Sequence, residues 1–155
     1  MRLWDACLAV HIAAGATGLV LGPLAMRPPK RRGSHTRRGE AYHWVMLAVC
    51  VSAAGLAVLA WQRIWWFLPI AAFSYANALY GYVAAKRRRP GWLPRHVGGM
   101  GGSYIALVTA LLVVNLGQEL PVVWLVPTLV GSPIIAWFLN EIDHGRRPRP
   151  AARSS

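Results

Sequence analysis

The sequence has 155 residues, five of which are histidines. Histidine is the residue type here whose side chain can perform the widest range of chemistry. A neutral imidazole binds metals, and histidine changes its charge near neutral pH, so these side chains could ligate a cofactor or move protons. His11 lies inside an apolar segment, whereas the other four lie close to basic stretches: His35, His43, His96 and His144. The candidate chemistry is therefore concentrated where basic and apolar segments meet.

The spacing of the histidines is not typical of a metal hydrolase or a di-iron protein. Such centres need three or more converging ligands, which come from tight motifs such as HExxH or repeated ExxH. Neither motif is present. We therefore predict no metal-ion centre, with His35 and His144 as the remaining candidate ligands. No catalytic residue is assigned, and the sequence leaves open whether the protein is an enzyme.

Two histidines are spaced so that they could bind a single haem. His43 and His96 are each predicted within about one turn of the same membrane boundary, where imidazoles from two helices could ligate the iron of a b-type haem from opposite sides. Glycines after His96 would admit a flat ring, and a guanidinium could bind an anionic group of haem or lipid. This predicted cofactor site comprises His43, His96, Arg95, Gly98, Gly99 and Gly102.

A stripe of small residues also follows His11, at Gly15 and Gly18. Small residues at such spacing are typical of closely packed membrane helices, although the stripe could also border a second ligand site at His11.

The sequence leaves three functions open. The first is an electron-transfer module linked to haem or quinone, and the second is a cofactor-free accessory or scaffold subunit of a membrane complex. The third is a small oligomeric transporter or lipid-binding protein with Asn77 in a polar cavity.

Long apolar blocks must position these residues. A bilayer core about 30 Å thick requires about 20 helical residues, and five blocks have about that length: Leu3–Met26, Ala41–Trp61, Ile64–Ala85, Val97–Leu116 and Val122–Leu139. We therefore predict an all-α integral membrane protein with five transmembrane helices. Residues 1–143 form its single domain, and residues 144–155 form a disordered basic tail.

The distribution of charge predicts the orientation. The net charge is +12, and every basic residue except Arg2 and Arg63 lies between the first and second blocks, between the third and fourth, or at the end of the chain. These segments follow the first, third and fifth apolar blocks, so five crossings place all of them on one side of the membrane. The positive-inside rule therefore predicts an outside N-terminus and a cytoplasmic C-terminus. The pattern indicates a multi-pass protein of the bacterial inner membrane whose basic loops meet anionic lipids, and it argues against nucleic-acid binding. Other membrane subunits or further copies of the chain remain candidate partners.

Three segments, HIAAGATGLVLGPLAM, GSHTRRGEAYHWVM and RHVGGMGGSYIALVTALLVVNLGQELP, carry a family resemblance. The chain from His11 to about Pro133 resembles a group of small bacterial membrane proteins that are classified as a domain of unknown function. Positions that match the group's pattern are His11, His35, Gly39, Tyr42 and His96, whereas Thr36 stands where an arginine often follows the loop histidine. The resemblance implies a membrane fold and the importance of these positions, and it implies no reaction.

Overall fold

The protein is described by a computed structural model that covers residues 2–27 and 33–146. Within these ranges the chain is helical and contains no strand. The helices are α1 Leu3–Met26, α2 Ser34–Leu59, α3 Trp61–Ile64, α4 Phe67–Arg87, α5 Trp92–Leu116 and α6 Pro121–Arg146. The prediction of an all-helical protein is confirmed.

Four of these helices are long and apolar enough to cross a membrane: α1, α2, α5 and α6. They establish the chain as a membrane protein with several apolar helices, which associates with a lipid bilayer. The third predicted block corresponds to α4, which is not among the four. Asn77, several tyrosines and the basic end at Lys86 and Arg87 lower the hydropathy of α4.

The helix bounds agree with the predicted blocks most closely where hydropathy changes abruptly. Helix α1 has the predicted bounds, whereas α2 and α5 begin earlier because the polar segments before them, SHTRRGE and WLPRH, are already helical. Helix α6 continues to Arg146 and so includes the start of the predicted tail, His144 to Arg146. The rest of that predicted tail, residues 147–155, lies outside the described residues.

Four helices form a bundle, and the last one packs on its outside. Helix α1 packs on α2, α2 on α4, and α4 on α5, while a smaller contact between α5 and α1 closes the ring. Helix α6 packs on α5. The short connections from α2 to α4 and from α5 to α6 make each pair antiparallel neighbours, as the loop lengths predict. The bundle core consists of Tyr42, Met46, Val49, Cys50, Ala71, Ala78 and Leu107.

Helices α1 and α5 meet where an aromatic ring lies over a glycine. The ring of Tyr104 lies directly against Gly22, where any side chain would overlap it. The Tyr104 hydroxyl donates a hydrogen bond of 3.2 Å to the carbonyl of Leu19. Gly18 provides a second close contact, since a Cβ there would lie 3.0 Å from Leu107 and 3.3 Å from Val45. These glycines of α1 are therefore used for helix packing.

The closest backbone approach in the bundle joins α4 and α5. A Cβ at Gly99 would lie 2.6 Å from the amide nitrogen of Gly81 and 2.7 Å from the carbonyl oxygen of Asn77. A Cβ at Gly81 would lie 2.6 Å from the amide nitrogen of Met100. Atoms do not approach so closely without overlap, so each glycine is required by the backbone of the opposite helix. This is the small-residue contact through which membrane helices associate.

We expect Gly99→Ala to destabilise the protein by about 1–3 kcal/mol or more, because the new methyl group meets backbone atoms that cannot move aside independently. Gly98→Ala is the matched control. Nothing lies within 4 Å of a Cβ at Gly98, and alanine is the better helix former by about 1 kcal/mol. Thermal unfolding in detergent, followed by circular dichroism, measures both changes. Equal unfolding temperatures for the two variants would contradict the assigned contact.

Candidate functional site

Two histidines from different helices meet at one end of the bundle. His35 lies in the first turn of α2, and His96 lies just over one turn after the start of α5. Their ring centroids are 6.0 Å apart, and the ring planes are nearly perpendicular, at 88°. Trp92, one turn before His96 on α5, contributes a third ring whose centroid is 6.2 Å from that of His96. Imidazoles from α2 and α5 are thus within a few ångströms of each other.

Both imidazoles are held by the backbone through the same ring atom. Nδ1 of His35 lies 2.8 Å from the carbonyl oxygen of Ala25, and Nδ1 of His96 lies 3.0 Å from that of Gly81. A carbonyl oxygen can only accept, so Nδ1 must carry the hydrogen and donate it. A neutral ring with its hydrogen on Nδ1 has its lone pair on Nε2. Histidines that bind metals are typically oriented in this way, by a hydrogen bond from the other ring nitrogen to a carbonyl or carboxylate.

The end of α1 explains why His35 takes this position. The last carbonyls of a helix have no partner within it, and α1 ends at Met26. Nδ1 of His35 donates to the carbonyl of Ala25, and Nη1 of Arg38 donates to that of Leu24 at 3.0 Å. The start of α2 therefore caps the end of α1. Gly33, whose φ of 104° is unfavourable for other residues, allows the chain to enter α2 at this point.

His43 occupies a separate, enclosed environment on α2. Its side chain is only 3% exposed. The ring stacks on Tyr82 of α4 with centroids 4.1 Å apart and planes 7° apart, and Tyr75 lies 5.7 Å away. Among the described residues, its buried Nδ1 has no hydrogen-bond partner. His43 is therefore a packed aromatic side chain with one unsatisfied polar atom.

A pair of charged residues covers this aromatic stack. Lys86 forms an ion pair with Glu40 of α2, and its Nζ lies 5.4 Å from the centroid of the Tyr82 ring. The ion pair joins α2 to α4 on the exposed surface, where such pairs stabilise proteins only slightly. The Lys86 ammonium thus lies near the Tyr82 side of the stack.

The structure does not bring the predicted haem ligands into ring contact. The ring neighbours of His96 include His35 and Trp92, whereas within residues 2–27 and 33–146 those of His43 are on α2 and α4: Trp44, Tyr75 and Tyr82. The partner that the structure places beside His96 is thus His35.

The predicted ring-admitting glycines have three different environments. Gly99 packs on Gly81, and a Cβ at Gly102 would lie 3.4 Å from Oδ1 of Asn77, so both face α4. Gly98 borders open space. Arg95 is exposed. Of the predicted glycines that α5 carries, Gly98 is the one at which a Cβ would meet nothing within 4 Å.

The predicted second site at His11 is a contact between two helices. Nδ1 of His11 lies 3.1 Å from both the carbonyl oxygen of Val49 and Oγ of Ser52 on α2. Gly18 is packed against α2 and α5, as described above, whereas Gly15 borders open space. His144 is exposed, and its Nδ1 lies 2.8 Å from the carbonyl of Asn140 one turn earlier on α6. Neither His11 nor His144 joins the pair formed by His35 and His96.

Side chains alone do not form a complete metal-ion site in the part of the chain that the structure describes. There, no group of three or more histidine, cysteine, aspartate or glutamate side chains is arranged to hold an ion. A metal at His35 and His96 would therefore need most of its ligands from another source. This requirement distinguishes a bare ion, which takes four or more ligands, from a metal that arrives inside a macrocycle.

The pairing of His35 with His96 was not predicted from the sequence. The sequence predicts that α2 begins near Ala41, which leaves His35 in a loop of undetermined geometry. The helix begins at Ser34 instead. The glycine and serine at positions 33 and 34 in RRGSHTRRGE are the signal that could have identified this start. Once His35 belongs to the first turn of α2, its position opposite the end of α1 follows.

Comparison with known proteins agrees with this helical membrane architecture. Neither the curated proteins nor the solved structures contain a match to this chain. A family profile matches residues 8–140, a range that includes His11, the contact between α4 and α5 and the histidine pair. The match covers most of the 155 residues, and the chain therefore belongs to the family described as Predicted membrane protein (DUF2306).

Proposed function

We propose that the protein spans the bacterial cytoplasmic membrane five times, with α4 as the additional span. The 21 residues of α4 correspond to about 31 Å at 1.5 Å per residue, which matches the thickness of a bilayer core of about 30 Å. Helix α4 packs between α2 and α5, both of which are apolar enough to cross. A helix enclosed by crossing neighbours tolerates polar side chains that would be unfavourable in contact with lipid.

The charge distribution supports an outside N-terminus and a cytoplasmic C-terminus. Of the 17 basic residues, all except Arg2 and Arg63 occur in the sequence close to the C-terminal ends of α1, α4 and α6 or in the segments that follow them. These three helices end on the same side of the bundle. Short basic connections remain on the cytoplasmic side during insertion. We expect the same residues to bind anionic lipids there, since each arginine or lysine near such a surface contributes about 1 kcal/mol. His35 and His96 lie at this cytoplasmic end.

We infer that His35 and His96 bind a b-type haem, and that the protein is an electron-transfer module. The observation that carries this proposal is the spacing and anchoring of the two rings: imidazoles of two helices, 6.0 Å apart, each oriented by a carbonyl at Nδ1. With bonds of about 2.0–2.1 Å from imidazole nitrogen to metal, the centres of two imidazole rings that would hold one metal lie up to about 6 Å apart. The distance between the ring centroids of His35 and His96 is compatible with such a pair of ligands.

Haem is favoured over a bare ion because it needs few protein ligands. The macrocycle would supply four nitrogens, so His35 and His96 would be sufficient as protein ligands, and histidine is a common haem ligand. Two backbone positions beside the pair are open: nothing lies within 4 Å of a Cβ at Gly39, one turn after His35, or at Gly98, two residues after His96. The exposed guanidinium of Arg95 suits a carboxylate group of such a cofactor. Bound haem would supply the capacity for one-electron transfer.

A cofactor-free accessory subunit is the alternative that the packing partly favours. Gly15 on α1 borders open space, so a partner helix could approach α1 there through a small-residue contact. Gly99 offers no such surface because Gly81 covers it. This alternative therefore depends on open glycines such as Gly15 and no longer on Gly99.

We expect protein purified from haem-replete cells to show a Soret band and a reduced-minus-oxidised α-band that both His35→Phe and His96→Phe abolish. His144→Phe, which changes an exposed histidine outside the pair, is the matched control and should retain the spectrum. Visible spectroscopy and a pyridine haemochrome assay measure the haem content. A wild-type protein without either band would refute the haem proposal, and a spectrum that survives in both His35 and His96 variants would refute the ligand assignment.

We expect His43→Phe to retain the haem spectrum and to stabilise the fold by about 1 kcal/mol. Phenylalanine preserves the stack on Tyr82 and removes a buried polar atom that lacks a hydrogen bond, a defect that costs about 1–3 kcal/mol. His43→Ala should instead destabilise the fold by about 2–4 kcal/mol, because it leaves a cavity. Unfolding in detergent provides the measurement. Loss of haem from His43→Phe with an intact fold would restore His43 as the ligand.

Single cysteines in a variant that carries Cys7→Ala and Cys50→Ala test the five-span topology. We expect a membrane-impermeant maleimide to label Gln62→Cys in intact cells, and to label Ser34→Cys and Arg89→Cys only after permeabilisation. All three positions are exposed. Because Arg89 follows α4, its labelling in intact cells would show that α4 does not cross. Reversed accessibility at Ser34 and Gln62 would contradict the proposed orientation.

A further inference from the structure

A cleft separates α4 from α6 on the surface of α5, away from the histidine pair. Helices α4 and α6 both pack on α5, and they approach each other at the end where Trp66 and Trp124 meet with ring centroids 5.7 Å apart. The cleft has a volume of about 490 Å³. Its floor consists of small or short side chains of α5, among them Gly102, Ala106 and Ala110. It is a lateral opening in the part of the protein that crosses the bilayer.

The cleft runs along the helices. Its lining extends along α4 from Phe67 to Asn77, which is about 15 Å at 1.5 Å per residue. A hydrocarbon chain that ends in a flat ring fits a groove of this length, with the chain parallel to the helices.

The inner half of the cleft has polar groups at mid-membrane depth. Asn77 lies about 15 Å from the start of α4, and Ser132 lies about 16 Å from the start of α6, at 1.5 Å per residue. Both side chains line the cleft. One N–H of the Asn77 amide donates to the carbonyl of Phe73 at 3.0 Å. Because the amide has two N–H groups, Asn77 retains a second donor for a ligand.

An aromatic face adjoins this donor. Phe73 precedes Asn77 by one turn on α4, lines the cleft and is 69% exposed. The outer half is lined by apolar and aromatic groups, including Phe67, Ile70 and Trp124. A ligand that matches these features has a flat polar head near Asn77 and an apolar chain toward Trp124. A charged lipid headgroup would not be stable at this depth, so the head must be uncharged.

We propose that the cleft between α4 and α6 binds an uncharged long-chain lipophile with a carbonyl head, the chemical class of the isoprenoid quinones. Asn77 donates a hydrogen bond to the carbonyl, and Phe73 packs on the face of the ring. The chain lies on the small residues of α5. This inference is independent of haem binding, because the cleft shares no lining residue with the pair of His35 and His96.

A photoreactive azido-quinone with a decyl chain tests the proposal in nanodiscs that hold the full chain. We expect the label to map by mass spectrometry to cleft segments of α4 and α5, and decylubiquinone to compete for it. Decylbenzene, which has the chain and a ring without a carbonyl, should compete about five-fold less well, the effect of about 1 kcal/mol from one hydrogen bond. Palmitate tests whether a charged lipid binds instead. Competition by palmitate equal to that by decylubiquinone would overturn the choice of an uncharged head.

Two variants separate specific binding from general contact with lipid. Ala106→Phe fills the floor of the cleft and should reduce labelling about tenfold or more, whereas Ala136→Phe, on the exposed surface of α6, is the matched control and should leave it unchanged. Asn77→Leu should retain labelling but abolish the advantage of decylubiquinone over decylbenzene. Labelling that is equal in wild-type protein and Ala106→Phe would overturn the proposal. A change from dimer to monomer in Ala106→Phe would also overturn it, in favour of a second copy in the cleft.

Discussion

The close contact of α4 and α5 at Gly81 and Gly99 is the constraint on which most of the other features depend. It brings the two backbones together so closely that neither position accepts a Cβ. The same approach places the carbonyl of Gly81 where Nδ1 of His96 can donate to it. Close packing and the orientation of an imidazole are therefore consequences of one contact. A side chain at Gly81 or Gly99 would separate the helices and move the acceptor away from His96.

The position of His35, the other histidine of the pair, depends on the C-terminal end of α1. Carbonyls in the last turn of α1 need donors, and the start of α2 supplies them from His35 and Arg38. This arrangement satisfies polar groups that are costly to leave unpaired near the membrane. It also fixes the orientation of His35 relative to the bundle. Two unrelated structural requirements, helix capping and close helix packing, thus place two rings with their centroids 6.0 Å apart.

Hydropathy and charge were sufficient to predict the class of the fold, because long apolar blocks and basic connections are properties of composition. The bounds of α1 follow directly, since its apolar run ends sharply at Arg27. The start of α2 does not, because Ser34 to Glu40 are polar residues that become helical through their contacts with α1 and α4. That difference changed the candidate site. With α2 beginning at Ala41, His43 is the first histidine of the helix and the natural partner for His96, whereas the longer helix makes His35 that partner.

The glycine-rich start of α5 shows a second limit of sequence patterns. Spacing places Gly98, Gly99 and Gly102 near one another on a helix, but it does not state which neighbour each one faces. The structure assigns Gly99 and Gly102 to α4, and leaves Gly98 open. Small residues on α5 thus serve two purposes. Near the end that carries His96, Gly99 admits the backbone of α4, and further along the helix Ala106 and Ala110 form the floor of the cleft. Because α5 also carries His96, it is the element through which a change in the packing of α4 would reach both the histidine pair and the cleft.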